Sequence, residues 1–219
     1  MSGTLQQAAP RRRRRKEARP SELAAAALSL FVEKGYAATR LDEVAARAGV
    51  SKGTLYLYFD SKEALFKAVI QDRVVAVMSE GEALYASLKD DPARLLREIL
   101  MGWWNLIGAT DLGGIPKVMI AEAQNFPEVA RYFYEDVISR GRVLVAGALQ
   151  GGIERGLFRP VDVPATVQVL MAPLIMLSVW RNSMAVCDPV ACRPEVYLPA
   201  YFDLVFKGLE LAPVSGVST

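Results

Sequence analysis

Residues 35–66 read GYAATRLDEVAARAGVSKGTLYLYFDSKEALF, and this stretch decides the fold. Thr39-Arg40-Leu41-Asp42 has the form of a capping box with Thr39 as the N-cap. The helix it opens is predicted over residues 41–48, with Leu41, Val44, Ala45 and Ala48 turned inward and Gly49 as its stop. Gly49-Val50-Ser51 is a tight link in which the glycine permits a left-handed backbone. Ser51 caps a third short helix, residues 52–59, where Leu55 and Phe59 stand one turn apart as inward anchors. Two short helices on such a link have helix-turn-helix dimensions. Gly53, Thr54, Leu57 and one side of Tyr56 then face outward on a surface without a carboxylate, which can approach phosphates without repulsion. Thr54 and Tyr56 offer hydroxyls, Leu57 an apolar contact for a thymine methyl, and Gly53 close backbone approach. Lys62, with the amides that open the next helix, forms a phosphate site, and Thr39 and Arg40 form another. The apolar pattern alone fits a purely structural helical hairpin as well as a DNA-binding head. Tyr56 and Tyr58 also fit packing roles, and Thr39 a pure capping role.

On the N-terminal side, Leu23, Ala27, Leu30 and Phe31 recur at helical spacing from Ser21 to the stop at Gly35, which predicts a first helix. Residues 1–19 are polar and Arg-rich without apolar periodicity, so a disordered basic arm is expected there, with Arg11–Arg15 available to a nucleic acid. On the C-terminal side the helical pattern continues over residues 62–88, 92–109, 116–124, 127–155, 164–186 and 194–211, several of them opening near a proline. No useful length alternates with period two, so the expected class is all-α, with about nine helices.

The 219 residues are 52% hydrophobic and 23% charged, the composition of a folded protein. Residues 1–66 hold 12 Lys/Arg against 7 Asp/Glu, leaving 14 against 17 in the rest, so a cationic third precedes a mildly anionic remainder. Histidine is absent, which removes Ser-His-Asp and Cys-His catalysis, imidazole-ligated metals and the imidazole pH switch. Cys187 and Cys192 are too few for a disulfide scaffold or a four-thiolate site, and read as two small thiols in a reducing compartment. No metal, no catalytic constellation and no enzymatic activity are therefore expected. The chain after Arg11–Arg15 lacks an apolar h-region, so no signal peptide is read. Residues 163–180 are uncharged and just long enough to span a bilayer, but Pro164, Thr166, Gln168, Pro173 and Ser178 dilute them, and a buried interface helix kinked at Pro173 is the better reading. A cytoplasmic protein without membrane partners is expected.

The run 35–66 closely resembles the DNA-binding domain of the TetR family of bacterial transcriptional regulators. The likeness covers about residues 17–77 and includes the Gly-Tyr entry, Thr39, the VAARAGVSKGTLYLYF core and SKEAL. It implies an all-helical, homodimeric repressor with a three-helix head and a larger C-terminal ligand-sensing domain, bound to a palindromic operator and released by a small molecule. In such proteins the residues matching Thr39, Ser51, Lys52, Gly53, Thr54, Tyr56, Tyr58 and Lys62 face DNA, and the variable positions matching Leu57 and Tyr58 carry operator choice. The domains expected are a basic arm at 1–16, the head at 17–77 with its helix-turn-helix at about 40–59, a ligand-binding and dimerisation domain at 78–212, and a tail at 213–219. The run EAQNFPEVARYFYE, residues 122–135, is similar to a C-terminal subgroup found in regulators of efflux systems. A helical adaptor, or a non-specific nucleic-acid or membrane binder without operator reading, is the alternative.

In the larger domain Trp103, Trp104, Met119, Tyr132, Met176 and Trp180 stand on different helices, as the walls of an effector cavity require and as any helical core also requires. Glu122 is the polar candidate, either a buried partner for a cation or a capping carboxylate before Phe126-Pro127. The last two helices are apolar along much of their surface, and Leu170, Leu174, Leu177, Tyr201, Leu204 and Val205 are the candidate dimer interface. No cofactor is expected beyond an unidentified small-molecule effector.

Overall fold

The computed structural model describes residues 11–188 and 193–211; residues 1–10 of the expected arm, Cys192 and the 213–219 tail lie outside them. Every regular element among the described residues is helical, and the chain divides between Asp72 and Arg73 into two compact units, five residues before the expected boundary.

The first unit contains α1 (Arg11–Lys34), α2 (Leu41–Arg47), α3 (Lys52–Tyr56) and α4 (Lys62–Val69). Helix α1 corrects the arm expectation: residues 11–16 are its opening turns, and it continues through Pro20. Leu23, Ala27, Leu30 and Phe31 are buried as their spacing requires, and so are Val44, Leu55, Leu65 and Phe66 of the other three helices. Phe31, Tyr36 and Phe66 form an aromatic cluster with centroids 5.2 to 5.8 Å apart. Helix α2 ends in a Schellman motif: the Val50 N–H donates to the Ala45 carbonyl at 2.9 Å and the Gly49 N–H to that of Ala46 at 3.1 Å. Gly49 sits at φ +66°, the left-handed conformation the turn needs. Ser51 and Ser61 then cap α3 and α4, accepting from the Thr54 and Ala64 N–H groups at 3.1 and 3.0 Å.

The N-cap of α2 differs from the expectation. It is Arg40, whose backbone N–H donates to the Glu43 carboxylate at 3.0 Å; its guanidinium cannot accept in return, so half a box, one residue on from Thr39–Asp42, opens the helix. Thr39 is only 2% exposed, and its hydroxyl points back to the Gly35 and Leu30 carbonyls at 2.7 and 3.2 Å.

The second unit contains α5 (Val75–Leu88), α6 (Pro92–Trp103), α7 (Ile115–Glu122), α8 (Pro127–Phe133), α9 (Ser139–Glu154), α10 (Val163–Arg181) and α11 (Pro194–Leu209). Among the described residues three π turns occur: Ile70–Val74 between α4 and α5 and Tyr134–Ile138 between α8 and α9 interrupt otherwise continuous helix, and Trp104–Gly108 closes α6. Counting across them, the described residues form nine helical rods. The expected single helices over 62–88 and 127–155 therefore each contain one such wide turn. Proline occupies the first turn of α6, α7, α8, α10 and α11, where its missing N–H is no loss. Leu95, Leu96 and Leu100 of α6, Val145 and Leu149 of α9, and Leu170 and Leu174 of α10 form the core. Helix α10 is long and apolar enough by composition to cross a membrane, but Val167, Leu170, Leu174, Leu177 and Ser178 belong to the interior of this unit.

Candidate nucleic-acid interface and effector cavity

Helix α3 ends at Tyr56 with Leu57 as its C-cap, three residues short of the expected 59, but the stretch from Ser51 to Phe59 divides its residues as the spacing predicts. Leu55 and Phe59 are buried, while Ser51, Lys52, Gly53, Tyr56 and Leu57 are exposed and Thr54 and Tyr58 are half-buried. Leu57 is 82% exposed, far beyond what packing explains on so short a helix. The Ser51 and Thr54 hydroxyls lie 2.8 Å apart, and the Lys52 ammonium stands 5.9 Å from the Tyr56 ring centroid. A Cβ on Gly53 would meet only the Ser51 hydroxyl, at 3.8 Å, so the α3 backbone is open on that side.

The flanking residues behave differently. The exposed Arg40 guanidinium is held by both oxygens of Asp42, at 3.1 and 3.2 Å, which raises its own pKa and lowers that of Asp42. Lys62, expected at a phosphate site, is engaged within the chain. Its ammonium donates to the carbonyls of Tyr36, Ala37 and Thr39 at 2.6, 2.9 and 3.1 Å and lies 4.7 Å from the Tyr36 ring centroid. An ammonium has three N–H groups, and here it is turned toward three main-chain carbonyls. Lys62 thus ties the start of α4 to the turn before α2, and Thr39 latches that turn to the end of α1.

The second unit encloses a cavity of about 390 Å³. Its wall takes residues from α5 to α10 and from all three π turns: Val74 from the first, Ile107 from the second, Val137 and Ile138 from the third. Of the candidate effector residues, Trp103 and Met119 line it. Trp104 is core, with the Arg181 guanidinium 5.4 Å from its ring centroid. Glu122, 8% exposed, lies outside the lining; its carboxylate accepts from the Asn125 side chain at 3.4 Å and its main-chain carbonyl from the Phe126 N–H at 2.9 Å, while the start of α8 at Phe126 has no side-chain cap, so Glu122 is buried and is not the expected capping carboxylate. Tyr132, Met176 and Trp180 are likewise not in the wall. Met176 is 55% exposed, and the Trp180 indole N–H is buried without a partner among the described residues.

The expected dimer residues separate as well. Leu170, Leu174, Leu177 and Tyr201 are buried within the chain itself, the Tyr201 hydroxyl donating to the Leu170 carbonyl at 2.8 Å, so they are not available to a second copy. Burial raises the Tyr201 pKa. Leu204, 73% exposed, does face outward, and Val205 packs half-buried against the core. The outward apolar side of these helices is instead Val169 and Met176 on α10 and Val196 and Leu204 on α11.

A sequence profile described as bacterial regulatory proteins of the tetR family matches residues 23–69, and one described as the C-terminal domain of AefR-like transcriptional repressors matches residues 94–195. The regulator RutR of Escherichia coli is 44% identical over 203 residues, covering 85% of this chain and 86% of its own. The chain belongs to the TetR family of bacterial transcriptional regulators. The transcriptional activator FasR of Mycolicibacterium smegmatis is 40% identical over 80 residues, and the match spans only 36% of that protein's length and 36% of this one. The crystal structure of the TetR-family regulator PfmR from Thermus thermophilus superposes with a TM-score of 0.69 at 26% identity, covering 86% of this chain and 99% of that one.

Arg142 and Gln168, which the sequence reading missed, are the polar members of the cavity wall, and the aromatic and methionine residues Phe133 and Met171, of the kind the sequence suggests for such walls, line it with Ile175. Arg142 carried a signal: no acidic residue stands three or four positions from it in either direction, so its own helix provides no ion pair. Gln168 carried none, because nothing in a helical repeat says which polar residue faces a void.

Proposed function

We propose that the chain is a repressor that binds a two-fold symmetric operator as a homodimer through α3 and leaves it when a small molecule occupies the cavity. The observation that carries this reading is the outward α3 surface, with Leu57 and Tyr56 exposed, no carboxylate, and a helix held in place from behind by Leu55 and Phe59. Such a surface has no structural use in the chain itself, whereas a major groove accepts it. Two copies of α3 must lie roughly 34–36 Å apart to enter successive grooves. The outward apolar residues of α10 and α11 support a dimer built on that side. The chain passes from α4 to α5 through the π turn at Ile70–Val74, and Val74 lines the cavity, so an effector touches the residue that ends the connection. An effector releases DNA only through its higher affinity for the non-binding state. Control of an efflux system rests on the likeness of residues 122–135, and a cytoplasmic location follows from work on DNA.

The test is fluorescence anisotropy on DNA from upstream of the protein's own gene, with a scrambled duplex beside it. Tyr56→Ala and Leu57→Ala should each weaken the specific complex by about tenfold and leave the scrambled one unchanged. Equal binding of both duplexes by the unaltered protein would sink operator reading, and a monomer by light scattering at micromolar concentration would sink the dimer.

A further inference from the structure

The cavity wall is apolar from Trp103, Ile107 and Met119 to Phe133 and Met171, and it contains no carboxylate. Its single charged member is Arg142. This guanidinium forms no ion pair among the described residues; its recorded contact is the Tyr134 ring, 5.7 Å from centroid to Cζ. Neighbouring arginines are placed otherwise: Arg140 donates to Glu82 at 2.7 Å and Arg73 to Asp111 at 3.1 Å. Arg142 is also exposed, so its charge stands at the rim while the interior is hydrocarbon and aromatic. The carboxylate that offered a site for a cation, Glu122, is outside the wall and bound to Asn125.

We infer that the effector is an anionic amphiphile, an apolar chain or ring system ending in one carboxylate, with the tail among Trp103, Met119 and Phe133 and the head on the Arg142 guanidinium. This rests on the cavity being the effector site. The planar guanidinium presents paired N–H donors that match a carboxylate, and the Gln168 amide adds a further donor. A cationic amphiphile of the same shape finds the same apolar walls but meets only like charge at the rim. Affinity therefore ranks acid above neutral alcohol above amine.

The test is isothermal titration of the full chain at pH 7.5 with decanoate, 1-decanol and decylammonium, all below their micelle concentrations. Decanoate should bind about tenfold more tightly than 1-decanol, and decylammonium more weakly than either. Arg142→Met should remove about tenfold from decanoate and leave 1-decanol within about twofold, while Arg142→Lys falls between. Met119→Trp, which fills the interior, should weaken all three. Decylammonium binding as tightly as decanoate, or decanoate indifferent to Arg142→Met, overturns the charge inference while 1-decanol binding keeps the cavity reading. If none of the three binds, the cavity reading falls too. Decanoate binding that survives Met119→Trp but not Arg142→Met would be surface ion pairing, and also overturns it.

Discussion

In the unit ending at Asp72, polar side chains are spent on main-chain carbonyls: Lys62 on three of them, Thr39 on those of Gly35 and Leu30. In the unit beginning at Arg73 such bonds also occur, from Tyr201 to Leu170 and from Lys117 to Asn182 among others, but there backbones in addition approach where side chains are missing. A Cβ on Gly113 would lie 2.7 Å from the Gly108 carbonyl oxygen and from the Ser178 hydroxyl, and one on Gly147 would lie 2.7 Å from the Tyr85 ring. The head is a small body stapled by hydrogen bonds so that one helix face stays rigid and outward. The larger unit is packed tightly in places and left hollow in another. Rigid presentation suits reading a fixed partner, and a void beside close contacts suits a partner that must enter.

The comparison breaks first, and by the largest effect, at Gly113. Gly113→Ala should cost about 3 kcal/mol in urea unfolding, since neither the Gly108 backbone nor the buried Ser178 can retreat. In the head, Lys62→Met should cost about 2 kcal/mol by leaving three carbonyls short of a charged donor. Operator affinity should fall only as far as folding falls. If the melt is unchanged and DNA binding is lost, Lys62 belongs to the DNA and not to the staple. Thr39→Val keeps the shape and removes the hydroxyl, at a cost of about 1 kcal/mol by the same measurement. Leu57→Ala should leave stability within about 0.5 kcal/mol, because the side chain is exposed, and change only the DNA complex.

The smallest effect is a pH dependence in the head. Hydrogen bonds from Arg47 and then Ser29 hold the exposed Glu33 carboxyl at about 2, against an ordinary 4.5. A lowered folded pKa stabilises above the unfolded value, so this contribution is complete above about pH 4.5 and fades as the pH falls toward 2. Arg47→Gln should flatten that limb slightly, and 0.5 M salt, where the Debye length is about 4 Å, should weaken it further in both proteins.

The head was almost wholly legible. Gly49, the Ser51 cap and the Leu55–Phe59 spacing fix local geometry within a few residues, and local geometry is what sequence periodicity reports. The misreadings there have local and distant causes. Two overlapping pairs, Thr39–Asp42 and Arg40–Glu43, compete for one helix start, and the choice depends on Thr39 finding carbonyls on α1. The Lys62 contacts span 23 to 26 residues and leave no trace in a window. In the larger unit the helices were legible and their faces were not. Helix α10 is apolar nearly all round, so Leu170, Leu174 and Leu177 looked equally fit for a partner or for the core. The cavity is where side chains fail to meet, and Trp103 and Met119 could be named as aromatic and sulfur-bearing while Arg142 could not be placed.

Each of the three π turns contributes to the cavity wall. One residue added to an α-helix would rotate everything beyond it by about 100° and shift it by about 1.5 Å. Absorbed as a π turn, the same insertion bulges at one place and leaves the flanking helix in register. Chain length is thus a second variable, beside side-chain identity, by which descendants of this protein can reshape the chamber. A lineage can change the shape of this cavity by gaining or losing single codons here, while the core of α6 and α9 and the face of α3 are inherited intact.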